Sequence, residues 1–236
     1  MSTIPLALVG MGRMGRALAE LAPDRGFEVV ARIDSDGAVT RASLGGAAVA
    51  IEFSVPAAAA ANVIACAAAG CPVIVGTTGW YADLPRVRTE VERAGGAMLH
   101  APNFSLGVAI FDRVVAEAAR LFGGATSFDG HLVETHHRAK VDAPSGTAAA
   151  LARTAEAASG RSMPITSIRV GSVPGTHEVV FDAPFEQVRL VHEARDRRVF
   201  AEGALVAARW IIGRRGVFTM QDVLTTPESP TPSRQT

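Results

Sequence analysis

The chain has one lysine among its 23 basic residues, one tyrosine and only two cysteines in 236 residues. Alanine, by contrast, occurs 43 times, which indicates a compositional bias in which arginine replaces lysine wherever a positive surface charge suffices. A lysine that persists under such a bias marks a position that needs a compact ammonium group, because guanidinium is bulkier and does not give up its proton. Lys140 is therefore a candidate functional residue.

Other absences exclude whole classes of partner. The 23 basic residues are balanced by 23 acidic ones, so no excess charge indicates nucleic acid or an anionic membrane. No apolar run approaches the roughly 20 residues that span a bilayer, and the first residues lack the basic segment of a signal peptide. Cys66 and Cys71 are too few for a disulfide framework or a metal site, and we interpret them as core residues. We expect a cytoplasmic protein that binds no metal.

Short apolar runs alternate with helical stretches over the first hundred residues, as is typical of a parallel sheet with crossover helices. The predicted strands are Ile4–Val9, Phe27–Ile33, Val49–Phe53, Pro72–Val75 and Ala97–His100, and the predicted helices are Arg13–Leu21, Ala57–Ala69 and Asp83–Ala94. This pattern predicts an α/β fold with a Rossmann-like nucleotide domain over residues 1–102, completed by residues 203–224.

After Pro102 the pattern changes, because three strand-like runs between residues 165 and 193 follow one another without helices between them. The predicted strands are Thr126–His136, Ile165–Val170, Thr176–Phe181, Gln187–Glu193 and Phe218–Met220, and the predicted helices are Val108–Phe122, Thr147–Ala158 and Phe200–Arg214. Residues 103–202 are therefore predicted to form an α+β substrate and oligomerisation domain with an open mixed, mostly antiparallel sheet. Residues 225–236, rich in Pro, Ser and Thr, are predicted to be a disordered tail.

A glycine-rich loop joins the first predicted strand to the first predicted helix. Gly10-Met11-Gly12-Arg13-Met14-Gly15 has the GxGxxG spacing that places a dinucleotide pyrophosphate on a helix N-terminus. Asp34 ends the second strand, where a carboxylate accepts the ribose hydroxyls and repels a 2′-phosphate. We therefore predict NADH and/or NADPH as cofactor, with NADH used at least as well. Arg13 and Arg32 leave that preference open, and a tight turn without ligand is the alternative interpretation.

Two more loops follow predicted strand ends, where ligands of open α/β sheets bind. They are Gly76-Thr77-Thr78, and Ala101-Pro102-Asn103-Phe104. We expect both to contact the ribose and the nicotinamide, although ordinary turn chemistry would explain either loop taken singly.

The segment Glu134–Thr147 concentrates unusual residues between a strand end and a helix start. His136 and His137 stand beside the single lysine, and groups of this kind can transfer protons. Pro144, Ser145, Gly146 and Thr147 supply a helix N-terminus suited to a carboxylate. A zinc site is a competing interpretation, but adjacent histidines on a strand point to opposite faces and no other ligand spacing supports it. A solvated basic turn is the remaining alternative.

These residues resemble the 4-hydroxy-tetrahydrodipicolinate reductase (dihydrodipicolinate reductase) family over nearly the whole chain. Glu134–Thr147 is similar to the family signature E-x-H-H-x-x-K-x-D-A-P-S-G-T, and GMGRMG, VGTTGW and APNFSLGV match in the same order. The glycine loop is one residue shorter than is common in the family, and Trp80 stands where phenylalanine is frequent.

The resemblance implies NAD(P)H-dependent reduction of a small cyclic dicarboxylate in diaminopimelate and lysine biosynthesis, by a homotetramer joined through the substrate-domain sheet. It implies proton donors at His136 and Lys140 and a substrate contact at His137. It also implies that Gly146 and Thr147, with Ser145 beside them, hold a substrate carboxylate. A related reductase or amino-acid dehydrogenase, and a non-catalytic nucleotide-binding regulator, are the alternative functions.

Several other polar residues have weaker signals. Arg169, Gly171 and His177 lie in strand-like segments that also resemble the family, and they either support the site or serve only packing. We interpret three further histidines as structural: His100, His131 and His192.

Overall fold

The computed structural model describes residues 3–225. These residues form two compact units, one made of the chain up to Ser105 and from Phe200 onward, the other of Leu106–Val199. Apart from Thr225, the predicted tail over residues 225–236 lies outside the described residues. Within residues 3–225, no helix is both long and apolar enough to cross a membrane.

Ten strands are described: β1 (Ile4–Val9), β2 (Phe27–Ile33), β3 (Val49–Glu52), β4 (Val73–Val75), β5 (Ala97–His100), β6 (Asp129–His136), β7 (Ile165–Arg169), β8 (Thr176–Ala183), β9 (Glu186–Glu193) and β10 (Gly216–Phe218). The α-helices are α1 (Arg13–Leu21), α2 (Pro56–Ala68), α3 (Leu84–Arg93), α4 (Leu106–Gly123), α5 (Gly146–Ser159), α6 (Arg198–Ile211) and α7 (Met220–Thr225).

The first unit contains a six-stranded parallel sheet in the order β10-β5-β4-β3-β1-β2. Apart from Glu52 at the end of β3, its central strands are apolar runs, as expected where helices cover both faces. The alanine-rich α2 brings Val63 and Cys66 into the core. Cys66 and Cys71 are both buried in this core as predicted. Burial raises the pKa of the Cys66 thiol, and it raises the pKa of Cys71 to about 11. The predicted Rossmann-like fold class is confirmed.

The second unit contains a four-stranded sheet in the order β7-β6-β8-β9. The β6–β7 pair is parallel, and the β6–β8 and β8–β9 pairs are antiparallel, which confirms the predicted mixed, mostly antiparallel sheet. On β6 the even-numbered Leu132, Glu134 and His136 are buried. The strand period of two therefore turns a carboxylate and an imidazole to the same buried face.

Two predicted strands started two or three residues away from the observed ones, and β8 ends at Ala183 and not at Phe181. Strand β6 begins at Asp129 and not at Thr126, because a turn precedes it in which the Phe128 amide donates to the Ala125 carbonyl. The last strand is Gly216–Phe218 and not Phe218–Met220. The Asp222 carboxylate accepts from the amide and hydroxyl of Thr219, and this capping arrangement starts α7 at Met220.

Candidate active site

The glycine loop of the first unit is shaped by its flanking residues. Gly10 has φ +92°, and a Cβ atom there would lie 2.2 Å from the carbonyl oxygen of Phe53. A Cβ at Gly15 would lie 2.1 Å from the Gly10 carbonyl oxygen, so the turn closes tightly on α1. A Cβ at Gly12 would meet nothing within 4 Å. The middle glycine therefore leaves open space beside the helix start, as close approach of a phosphate requires.

The residues around this space fit a dinucleotide. Gly12 brings no side-chain cap to α1, and the first turn carries no acidic residue, so the backbone N–H groups and the positive end of the helix dipole suit an anion. Exposed Asp34 follows β2, and its Oδ1 accepts from the Ser35 amide at 2.9 Å. Arg13 and Arg32 are both exposed.

The loop after β4 is held by side chains on both sides. Thr77 is buried, and its Oγ1 accepts from the Ser54 amide at 2.8 Å. The indole Nε1 of buried Trp80 donates to the Thr77 carbonyl at 2.8 Å. The ring of Phe53 fills the space where Gly76 lacks a side chain. Thr78 is exposed, so this loop presents one accessible threonine beside one that is fixed.

The loop after β5 is anchored to its neighbours. The Ala101 amide donates to the Val75 carbonyl at 3.3 Å, and Asn103 Oδ1 accepts from the Ser105 amide at 2.8 Å. Phe104 is buried against Phe53, with ring centroids 5.9 Å apart. Within this predicted segment, exposed Pro102 and half-buried Asn103 are accessible, whereas Ala101 and Phe104 are buried.

Sequence reasoning missed Glu52, which is fully buried at the end of β3. Its Oε1 accepts from the Ser54 amide at 3.1 Å, from the Ser54 hydroxyl, and from Asn62 Nδ2 at 3.4 Å. This carboxylate fixes the turn that packs on Gly10 and Thr77. In the sequence Glu52 is an acidic residue within an otherwise apolar predicted strand, and this was the signal by which it could have been found.

In the second unit, His136 lies at the end of β6 with its ring held by a buried carboxylate. Its Nδ1 is hydrogen-bonded to Glu134 Oε2. The other oxygen of Glu134 accepts from Arg169 Nη2 at 2.6 Å and from the Ser145 amide at 3.3 Å. Glu134 is completely buried, and His136 is buried except for a small exposed part. The bond at Nδ1 leaves Nε2 as the ring nitrogen that can exchange a proton with a ligand.

The charged groups around His136 shift its pKa in opposite directions. Burial would raise the pKa of Glu134, but hydrogen bonds from Arg169, Ser167 and His136 outweigh it and lower that pKa to about 2. Burial lowers the pKa of His136. The Glu134 carboxylate acts against this shift, and the charges of Lys140 and Arg169 add to it. Glu134 is therefore an anion at neutral pH, and it favours the protonated form of His136.

Lys140 lies in the loop between β6 and α5, and its Nζ donates to Asp142 Oδ1 at 2.7 Å. Burial acts to raise the pKa of Asp142, but hydrogen bonds from Lys140 and from the Gly146 backbone amide lower it overall. The Asp142 carboxylate thus occupies an ammonium and a helix-start amide, the two kinds of donor that were predicted to hold a substrate carboxylate.

The start of α5 is fixed by Ser145 and His177. The Ser145 hydroxyl accepts from the Ala148 amide at 3.1 Å as the helix N-cap, and it lies 3.3 Å from His177 Nε2. Burial lowers the pKa of His177 to about 4, with the nearby charge of His136 adding to the shift, so His177 is neutral. A Cβ at Gly146 would meet nothing within 4 Å, and Thr147 is half-buried. The space beside the Gly146 Cα is therefore open, while the Gly146 amide is bound to Asp142.

His137 contacts an arginine that sequence reasoning missed. Arg197 Nη2 lies 2.7 Å from His137 Nε2. Because guanidinium can only donate, Nε2 of His137 is the acceptor in this contact. Arg197 is 60 residues away in a charged run, and nothing in the sequence pairs the two. Over residues 3–225, no group of three or more His, Cys, Asp or Glu residues could hold a metal ion.

Sequence models of one protein family cover almost the whole chain. The model described as dihydrodipicolinate reductase, N-terminus, matches residues 4–104, and the model described as dihydrodipicolinate reductase, C-terminus, matches residues 107–224. The chain belongs to the dihydrodipicolinate reductase family. This confirms the family resemblance, and family members are NAD(P)H-dependent oxidoreductases.

Curated relatives share this assignment. The chain is 36% identical over 231 residues to the 4-hydroxy-tetrahydrodipicolinate reductase of Christiangramia forsetii, with 93% of the chain and 97% of the relative covered. It is 35% identical over 267 residues to the 4-hydroxy-tetrahydrodipicolinate reductase of Thiobacillus denitrificans, with coverages of 94% and 98%.

Solved structures show the same fold. A dipicolinate-bound dihydrodipicolinate reductase from Paenisporosarcina sp. TG-14 matches with a TM-score of 0.79 at 19% identity, covering 95% of this chain and all of that one. Aspartate dehydrogenase from Thermotoga maritima matches with a TM-score of 0.52 at 12% identity, covering 89% and 96%. The architecture is thus shared with another dehydrogenase.

Proposed function

We propose that the chain reduces 4-hydroxy-tetrahydrodipicolinate, by way of dihydrodipicolinate, to tetrahydrodipicolinate with NAD(P)H. Membership of the family over both units supports this reaction, as do the curated relatives named for it. The observation that carries the proposal is the buried His136, held by an ionised carboxylate beside Lys140 and the start of α5. That arrangement suits a proton donor next to a binding site for carboxylates.

The nucleotide is proposed to bind to the first unit. The backbone of Gly10-Met11-Gly12-Arg13-Met14-Gly15 would hold the pyrophosphate, and Asp34 the ribose hydroxyls. The loops at Gly76, Thr77 and Thr78 and at Ala101, Pro102, Asn103 and Phe104 would line the remainder of the cofactor. When bound, the cofactor supplies a hydride to the substrate. Because Asp34 is exposed and anionic where a 2′-phosphate would lie, we propose that NADH is used at least as well as NADPH.

The dicarboxylate is proposed to bind to the second unit. The amides of Gly146 and Thr147 and the ammonium of Lys140 would hold one carboxylate, displacing the side chain of Asp142. Ser145 fixes the helix start, and His137, supported by Arg197, would contact the substrate. The related reductase from Paenisporosarcina was solved with dipicolinate bound, and dipicolinate is a small cyclic dicarboxylate of the same chemical class.

His136 and Lys140 are proposed to complete the reduction. Hydride addition to an unsaturated imine leaves electron density that requires a proton at the neighbouring carbon. We propose that the Nε2 proton of the His136 imidazolium is that proton, since Nδ1 is occupied by Glu134. The Lys140 ammonium would stabilise the developing negative charge and assist the transfer.

A homo-oligomer, a tetramer by family resemblance, is proposed to assemble through the outer face of the second unit's sheet. Ile168 on β7 and Val191 on β9 are 41% and 56% exposed on this face. The other residues of this face are partly polar and partly apolar. Among them the Arg189–Glu178 ion pair connects β9 to β8. Sedimentation velocity of the wild type and of Ile168→Glu tests this assembly. A monomeric wild type would contradict it.

The reaction is tested by following cofactor oxidation at 340 nm with substrate generated in situ by the synthase, with NADH and NADPH in parallel. Turnover that requires both the substrate and the chain supports the proposal. Cofactor binding without turnover would instead support the alternative of a nucleotide-binding regulator.

A further inference from the structure

We infer that the buried Glu134–Arg169 ion pair is the positioning unit of the active site, because it ties the ring of His136, the Lys140 loop and the start of α5 to one fixed point. The inference rests on the proposed function of His136 and Lys140, and it assigns a role to two residues that would not themselves contact the substrate.

Each half of the pair holds two parts of the site. Glu134 Oε2 binds Nδ1 of His136, while its Oε1 accepts from the Ser145 amide at 3.3 Å, directly before α5. Arg169 Nη2 donates at 2.6 Å to Glu134 Oε1 and at 2.6 Å to the carbonyl of Asp142, two residues after Lys140. Hydrogen bonds therefore hold both ends of the loop between β6 and α5 to the Glu134–Arg169 pair, which also orients the His136 imidazole.

The strands explain why these two residues meet. His136 pairs with Arg169 in the parallel β6–β7 register, and the strand period turns Glu134 and His136 to the same buried face. Glu134 is completely buried, and the Arg169 side chain is only 17% exposed. A charge buried this deeply persists only with a partner, so loss of either residue leaves the other uncompensated.

Four charged or titratable groups face His136. They are Glu134 on its own strand, Arg169 on β7, Lys140 in the loop, and His177 on β8, whose ring centroid lies 5.2 Å from that of His136. Glu134 raises the proton affinity of His136, and Arg169 and Lys140 lower it. Glu134 and Arg169 should therefore shift the pH profile in opposite directions.

Glu134→Gln is the first test. The amide oxygen must face Arg169 and Ser145, so the amino group meets Nδ1 of His136, which must then accept. The neutral ring carries its proton on Nε2, and the imidazolium loses its anion. We expect kcat to fall about 10²-fold or more, the usual scale for a general acid. As the pH is raised, kcat should begin to fall at a lower pH than in the wild type, because the pKa of His136 is lowered.

Arg169 is tested with two variants. Arg169→Met removes a cation near His136 and so raises the pKa of His136. As the pH is raised, kcat should therefore begin to fall at a higher pH than in the wild type. Arg169→Lys keeps the charge but cannot reproduce the contacts of the planar guanidinium. We expect its pH profile to stay in place while KM for the dicarboxylate rises, because the loop and α5 are no longer held together.

The matched control is the Arg161–Asp129 pair, which joins the start of β6 to the segment before β7 at 3.0 Å. Asp129→Asn and Arg161→Met remove the same charges at the opposite end of the strand, and neither should change kcat or the pH profile. Far-ultraviolet circular dichroism and the midpoint of urea unfolding verify that each variant is folded.

A separate measurement does not depend on turnover. With only six histidines, ¹⁵N-histidine labelling resolves the protonated ring nitrogen of His136. A proton on Nδ1 in the wild type that moves to Nε2 in Glu134→Gln supports the inference. An unchanged tautomer, or a pH profile that does not move in either Glu134→Gln or Arg169→Met, overturns it. If the wild type shows the expected tautomer but no reductase activity, the proposed function fails instead.

Discussion

Trp80 offers a direct test of the nucleotide site, because its buried indole makes one defined contact with the loop after β4. Trp80→Phe keeps an aromatic ring in place but removes the Nε1 donor that lies 2.8 Å from the Thr77 carbonyl. Losing one partner of a buried hydrogen bond costs about 1–3 kcal/mol. The smaller ring leaves a gap among residues that are themselves buried, which adds roughly 1 kcal/mol. The free energy of unfolding should therefore fall by about 2–4 kcal/mol.

The same change should weaken cofactor binding. The Thr77 hydroxyl keeps its hydrogen bond from the Ser54 amide, but the Thr77 carbonyl loses its indole partner. The loop that is proposed to contact the ribose and nicotinamide is then held less firmly. We expect the Kd for NADH to rise about 3- to 10-fold, which corresponds to roughly 1 kcal/mol. Urea unfolding followed by circular dichroism gives the stability, and NADH fluorescence gives the affinity.

Trp210 supplies a matched control, because the chain has only two tryptophans and both are buried. Trp210 lies on α6, where the Arg214 guanidinium is 4.0 Å from its ring centroid and Phe218 packs edge-on at 5.1 Å. Trp210→Phe should lower stability without changing the Kd for NADH. The reasoning is refuted if Trp80→Phe leaves both quantities unchanged, or if the two variants weaken NADH binding equally.

Three further predictions concern the proposed site residues. His136→Ala should lower kcat about 10²-fold or more in the NADH oxidation assay, since it removes the proton donor, and near-native turnover would contradict that role. Lys140→Arg should be inactive although it keeps the positive charge, because guanidinium is bulkier and more basic than ammonium. A native kcat in this variant would remove Lys140 from its assigned role. Asp34→Ser should raise kcat/KM with NADPH relative to NADH by removing a carboxylate from the 2′-phosphate position. An unchanged ratio would show that Asp34 does not set cofactor preference.

Much of the fold was predictable because local patterns determined it. Strands such as Ile4–Val9 are continuous apolar runs, and the turn at Gly10 needs a residue that tolerates positive φ. The start of α7 was equally local, since Thr219 and Asp222 have capping-box spacing, but that signal was overlooked.

The supporting residues of the site were not predictable in the same way. Arg169 and Arg197 reach their partners across 35 and 60 residues of sequence, and no local pattern pairs a guanidinium with a distant Glu134 or His137. Their contacts follow from strand register and loop placement, which depend on the tertiary structure. The sequence thus identifies chemically distinctive groups and names Arg169 as a possible supporting residue, while the partner of each guanidinium emerges only from the fold.

The Asp142 side chain would make the proposed binding of a substrate carboxylate an exchange rather than an addition. Its carboxylate already lies on the Lys140 ammonium, 2.7 Å away, so an incoming carboxylate would take the place of one that is already there. Because Asp142 belongs to the same loop, displacement would move its charge aside without removing it from the site. When the product departs, Asp142 could return to the ammonium, so under this proposal the chain carries its own competitor for rebinding.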